Sequence, residues 1–252
     1  MFTIARFTLL ETLRSKSIRV VLVVIIVALA LSLFAGEIAL TESTRIRVAF
    51  LAGILRMASA LMVSLFLINA IMREFNEKGH VLLLSMAIPR SHYVIGKLLG
   101  FSMAAAIISC AATLAIAIFI PATQAIPWGV SLMAELWIIV AFSLFCALAF
   151  SHPMPAITTV FGFYVLSRTI STIQLIGHGS LTAPDSPTER WLIHGVDGIA
   201  LLLPHLDQFT RTSWLVNAMP TSGELMSLGG QALLYVMLLT VAASIDLYRK
   251  NL

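Results

Sequence analysis

Six apolar runs, each close to the ~20 residues that a helix needs to cross a bilayer, leave this chain few ways to fold. They cover residues 18–36, 48–72, 94–120, 132–150, 156–176 and 228–247. Inside lipid every backbone N–H and C=O must find its partner within the protein, and an α-helix does this one segment at a time. Hydrophobic residues make up 59% of the chain and charged residues 11%, against ~25% charged in soluble domains. The mean hydropathy is +0.97, and no polar stretch is long enough for a soluble domain. The expected fold is therefore all-α: one polytopic transmembrane domain over residues 1–252 with six transmembrane helices.

The connections add detail. Residues 1–17 set Phe2, Ala5, Leu9 and Leu13 at helical spacing against Arg6, Arg14 and Lys16, the pattern of an amphipathic helix lying on the membrane with its basic side toward headgroups. We read this N-terminal elbow as a retained anchor. Residues 37–47 form a short polar connection. Pro121 and Pro127 are expected to bound a turn, and Ser151 to Pro155 (SHPMP) to make a tight one. The longest hydrophilic segment, 177–227, contains an apolar stretch from Gly195 to Val216, broken by Pro204 and too short to cross, which predicts an interfacial or re-entrant helical hairpin. Three charges fall within spans. Arg56 is expected to snorkel to an interface, Glu135 to be solvated near the start of its span, and Arg168, deeper in, to require a partner or a water-filled cavity.

Basic residues set the orientation. With six spans, both termini share a side with residues 73–97, and that side holds ten of the sixteen Lys and Arg residues. Its net charge is +6 against −2 for the rest, together the +4 of the whole chain. The positive-inside rule then predicts cytoplasmic termini and an extracytoplasmic 177–227 segment. Positive charge placed beside apolar spans reads as topology, so no nucleic-acid partner is expected. Cys110 and Cys146 lie in apolar runs, where they pack as small residues.

No catalytic constellation is legible. Gly96-Lys97 is followed by Leu98, so the chain lacks the phosphate loop it would need to bind ATP itself. The six histidines are scattered, with no zinc spacing, and no metal is expected. Gly177-His178-Gly179-Ser180 suits a turn at a span end better than a hydrolase fragment. The chain is not expected to be an enzyme or to hold a cofactor.

The most informative polar stretch joins the second and third spans. It carries Arg73-Glu74, Glu77-Lys78-Gly79-His80, an apolar run Val81 to Met86, then Ile88-Pro89-Arg90-Ser91, Tyr93 and Gly96-Lys97-Leu98-Leu99-Gly100. A plain loop has little reason to expose Leu82, Leu83, Leu84 and Met86 together. In order of elements and in this motif the chain resembles the type-2 ABC exporter permeases (ABC-2 type), the family that includes the permease of nitrous oxide reductase maturation. His80 stands where threonine is commoner in that family.

The resemblance implies a cytoplasmic coupling helix within residues 73–93 that seats in a groove of a separate ABC ATPase, present in two copies, which supplies the ATP and Mg chemistry. Glu74, Glu77, Gly79, His80, Leu83, Leu84, Pro89, Arg90, Tyr93 and Lys97 would form the coupling site. Gly79 and Pro89 would bracket the helix, Leu83 and Leu84 plug the groove, and Glu74, Glu77, Arg90 and Lys97 set register. It further implies a second permease subunit, this chain or a sister, meeting it through spans two and five. Ser59, Ser64, Asn69, Thr158, Thr159, Ser167 and Arg168 would then line the translocation path. Export of a substrate is the expected function. Two alternatives stay open: a permease that only transmits ATPase motion to a periplasmic partner, and an ATPase-independent scaffold or secondary carrier working through Arg56, Glu135 and Arg168.

Overall fold

The structure, a computed structural model, describes residues 2–14, 17–38, 43–76, 90–178, 187–216 and 219–249. Among them there is no strand, and six helices are long and apolar enough to cross a membrane. By length and composition this is a multi-pass membrane protein. In chain order the helices are α1 (Phe2–Arg14), α2 (Ser17–Ile38), α3 (Ser43–Asn76), α4 (Arg90–Ala117), α5 (Ala122–Ala149), α6 (Pro153–His178), α7 (Pro187–Leu202), the single turn α8 (Ser213–Val216) and α9 (Ser222–Arg249). A 3-10 turn, Leu206–Gln208, separates α7 from α8. The spans are α2, α3, α4, α5, α6 and α9. Expected coupling residues Glu77, Gly79, His80, Leu83, Leu84 and Pro89 lie outside the described residues.

The bundle is built around α5. This helix is apolar on every side, the composition of a helix enclosed all round rather than one with a single buried stripe. It packs against α3, α4, α6 and α9, and Trp128, Leu132, Leu136, Ile139 and Leu144 are all buried on it. Two hydrogen-bonded or stacked contacts fix its neighbours. The Ser109 hydroxyl of α4 donates to the Gly129 carbonyl of α5 over 2.8 Å, and Phe142 of α5 stacks on Phe163 of α6 with ring centroids 3.9 Å apart. Gly129 is required here: a Cβ on it would come within 2.0 Å of Thr113 Oγ1. Helices approach this closely in membranes only where a small residue lets the backbones meet.

Two expected turns are shorter than predicted, helix taking over part of each. Pro127 lies inside α5, whose N-cap is Pro121. So near the helix start a proline costs one backbone bond, to the Thr123 carbonyl, instead of stopping the helix. At the next connection only Ser151 and His152 turn, because Pro153 is the first residue of α6. Proline is favoured there, where the missing N–H would have had no helical partner. The helices α2, α6 and α9 keep broad apolar faces exposed, including Val23, Ile26 and Phe34 on α2 and Leu233, Met237 and Leu238 on α9.

Candidate functional site

The early start of α5 changes the position of its carboxylate. Glu135 lies in the middle of a helix of 28 residues and is completely buried. The expectation of a solvated carboxylate near an interface is thereby overturned. An isolated charge so placed would cost several kcal/mol to desolvate, about the scale known for buried ions. It is offset by a partner: Arg168 Nη1 of α6 is 3.4 Å from Glu135 Oε1. Glu135 Oε2 accepts a hydrogen bond from the Thr210 hydroxyl over 2.8 Å, and the Tyr164 hydroxyl of α6 faces the same carboxylate.

Above this pair the chain between α7 and α8 folds back into the bundle. Leu206, Phe209 and Thr210 are fully buried, with Trp214 and Leu215 nearly so. A loop buried in this way must bring its backbone groups to partners, and the cluster supplies them. Arg168 Nη1 donates to the Leu206 carbonyl, to the Phe209 carbonyl over 3.3 Å and to Thr210 Oγ1 over 3.3 Å. The Thr210 N–H donates to Ser131 Oγ of α5 over 3.0 Å. From α3, Arg56 Nη1 donates to the Thr210 carbonyl over 3.3 Å. Arg56 is thus half-buried against the segment, where snorkelling was expected. Thr210 meets its four partners with a left-handed backbone, φ 47°, unusual for a β-branched residue. Ser171 Oγ donates to Asp207 over 2.9 Å, and Gln174 of α6 donates to Asp197 of α7 over 2.9 Å.

The three intramembrane charges that look independent in sequence therefore meet at one place, joining α3, α5 and α6 to residues 206–210. The arrangement can hold a segment in place. Among the described residues no group of His, Cys, Asp and Glu could hold a metal ion. Sequence reading missed Ser131, Thr210 and the two carbonyls. A signal for the ion pair was present: Glu135 precedes residue 150 by fifteen positions and Arg168 follows residue 153 by fifteen. Opposite charges on adjacent antiparallel helices at that spacing lie at one depth, ~22 Å from the turn.

Of the other expected path residues, none reaches this cluster by its own hydrogen bond. The Ser59, Ser64, Thr158 and Thr159 hydroxyls donate to the carbonyls of Arg56, Leu61, Met154 and Pro155 on their own helices. Asn69 Nδ2 donates likewise to Leu65. Ser59, Ser64 and Ser167 are buried, whereas Asn69, Thr158 and Thr159 are exposed.

At the other end of α3 a second set of charges is paired off. Lys97 Nζ of α4 is 2.6 Å from Glu74 Oε2, both largely buried, and the Lys97 ammonium lies 5.8 Å from the centroid of the buried Tyr93 ring. Arg73 pairs with Glu11 of α1. Arg90 opens α4. Glu74, Tyr93 and Lys97 thus brace α3 against α4. Comparison with protein-family models and with curated proteins gives no match.

Proposed function

We propose that this chain is the membrane-spanning permease subunit of an ABC-2 type exporter, working with a separate cytoplasmic ATPase and a second permease subunit. The observation that carries the proposal is the sequence motif of residues 73–100 set between spans two and three, with the apolar run Val81 to Met86 inside a charged segment. In this reading the membrane is a bacterial inner membrane, both termini are cytoplasmic, α1 is the elbow on the membrane surface, and α7, the 3-10 turn and α8 form the outer hairpin. The architecture suits transmission. Helix α3 runs unbroken through Arg56 and Glu74, eighteen residues and about 27 Å apart. One end is braced by Glu74 to Lys97 and adjoins the coupling stretch; the other holds the buried segment at Thr210. ATP-driven tilting of α3 would therefore pull directly on the Thr210 carbonyl and loosen the outer segment.

The test is co-purification with an ATPase encoded alongside this chain, comparing the unaltered protein with a Glu77→Ala, Leu84→Asp double variant. The ATPase should come down with the unaltered chain, and the variant should lose it or hydrolyse ATP without response to the permease. If no ATPase associates, or the variant behaves as the parent, the exporter reading fails. A second reading is favoured by the buried Arg168–Glu135 pair, since ionisable residues within spans mark ion pathways in carriers. It would gain from proton- or ion-driven uptake into vesicles holding this chain alone, abolished by Glu135→Gln.

A further inference from the structure

A recess of about 340 Å³ opens between α1, α3 and α4, lined by Glu11, Phe66, Asn69, Arg73 and Phe101 among others. That volume is in the ~300–1,000 Å³ range of small-molecule sites. Phe66, Asn69 and Arg73 follow one another at helical spacing, so they form one stripe along α3. The stripe is graded: an aromatic ring within the apolar span, an amide one turn on, and a charge in the last turn of the helix. Helix α1 sets Glu11 against the charged end, paired with Arg73. Both side chains are about half exposed, 60% for Arg73 and 49% for Glu11.

The donors and acceptors left over are specific. Glu11 Oε1 engages a single guanidinium nitrogen of Arg73, Nη2. A guanidinium carries five N–H donors, so Arg73 can still grip a phosphodiester. The second Glu11 oxygen is an acceptor, and so is the side-chain carbonyl of Asn69, whose amide nitrogen is already committed to Leu65. Together these offer, in one recess, a cation for a phosphate and two oxygens for an ammonium beside an aromatic wall.

We infer that this recess is a binding site for a zwitterionic phospholipid, with the phosphate of a phosphoethanolamine headgroup on Arg73, its primary ammonium on Glu11 and Asn69, and the glycerol and chain roots against Phe66 and Phe101. The gradient matches the lipid: charge at the outer rim, then amide, then apolar surface where the chains leave along α3. An anionic lipid would satisfy Arg73 but bring no cation to Glu11. The inference rests on the chain being a membrane protein and is independent of any ATPase.

Native mass spectrometry of the purified full chain, titrated with phosphatidylethanolamine or phosphatidylglycerol, tests it. The unaltered chain should retain phosphatidylethanolamine in preference. Arg73→Gln and Asn69→Leu should each weaken it about tenfold, the scale of one charge-assisted hydrogen bond. Glu11→Gln should weaken phosphatidylethanolamine similarly and erase the preference over phosphatidylglycerol. An exposed ion pair contributes little to folding, so the variants should keep the circular dichroism of the parent. Equal retention of the two lipids by the unaltered chain, or unchanged phosphatidylethanolamine retention in the variants, overturns the assignment. Displacement of the lipid by soluble glycerophosphoethanolamine at comparable concentration would also overturn it, in favour of a water-soluble phosphate ester.

Discussion

Glu135 and Arg168 carry unequal risk, because the carboxylate is fully buried while the guanidinium side chain keeps 19% of its surface exposed. Neutralising either leaves the other charge in a low-dielectric interior, which typically costs about 3–5 kcal/mol. Arg168→Met should therefore destabilise the protein more than Glu135→Leu, since it strands the fully buried carboxylate, whereas the Arg168 left alone by Glu135→Leu can turn toward water. The Glu135→Leu, Arg168→Met double variant should recover part of the loss. It should not recover all, because the Leu206 and Phe209 carbonyls then lack their donor. Unfolding in mixed micelles measures the cycle; strictly additive losses would mean that the two charges do not interact. Thr210 supplies a finer test. Thr210→Val keeps the shape and the β-branch but removes the hydroxyl that bonds Glu135, leaving a buried carboxylate oxygen unpaired at a cost of about 1–3 kcal/mol. Thr210→Asn should be milder, since asparagine accepts a left-handed backbone readily and can still donate. Thermal unfolding of the two variants should rank them in that order.

Among the elements, α5 makes the strictest demand, because α4 meets it at Gly129. Gly129→Ala would put a methyl within 2.0 Å of Thr113 Oγ1 and 2.9 Å of Thr113 Cβ. Overpacking of this kind costs about 1–3 kcal/mol, and Thr113→Ala should relieve part of it by removing the nearer atom. Unfolding of the single and double variants decides the matter: equal stability with and without Thr113→Ala would show that the helices simply move apart. The spans were legible because length and lack of charge suffice to mark a crossing helix, and six long apolar helices overlap the predicted runs, most ends extended but α4 stopping at Ala117 and α5 at Ala149. What was not legible came from tertiary context. Pro127 reads as a stop in isolation, yet α5 runs through it. Starting the fourth span at 132 instead of 122 moved Glu135 from the middle of a helix to its edge, and with it the reason to look for a partner. Residues 205–211 were expected within an interfacial or re-entrant hairpin, but the full burial of Leu206, Phe209 and Thr210 was not legible because it depends on two arginines on other helices.

For the whole molecule, the question is what covers the exposed apolar faces of α2, α6 and α9. Lipid accepts any bulky aliphatic surface, and α9 offers Leu233, Leu234, Met237, Leu238 and Val241 in that manner. The open face of α6 carries Thr158, Thr159 and Gly162 among Phe161 and Val165, and a Cβ at Gly162 would meet nothing within 4 Å. Small and hydroxyl-bearing residues let two helices approach where bulky ones hold them apart, so the Thr158 to Gly162 stretch of α6 is where we expect a second copy to pair. The permease proposal requires such a pairing. In a background with Cys110→Ala and Cys146→Ala, a cysteine at Gly162 should give a disulfide-linked dimer on mild oxidation in native membranes, and one at Leu234 should not. Efficient cross-linking at Leu234 would move the interface to α9. Cross-linking at neither, in protein that sediments as a monomer, would remove the shared path along α6 and leave the Arg56, Glu135 and Arg168 cluster to work within a single chain.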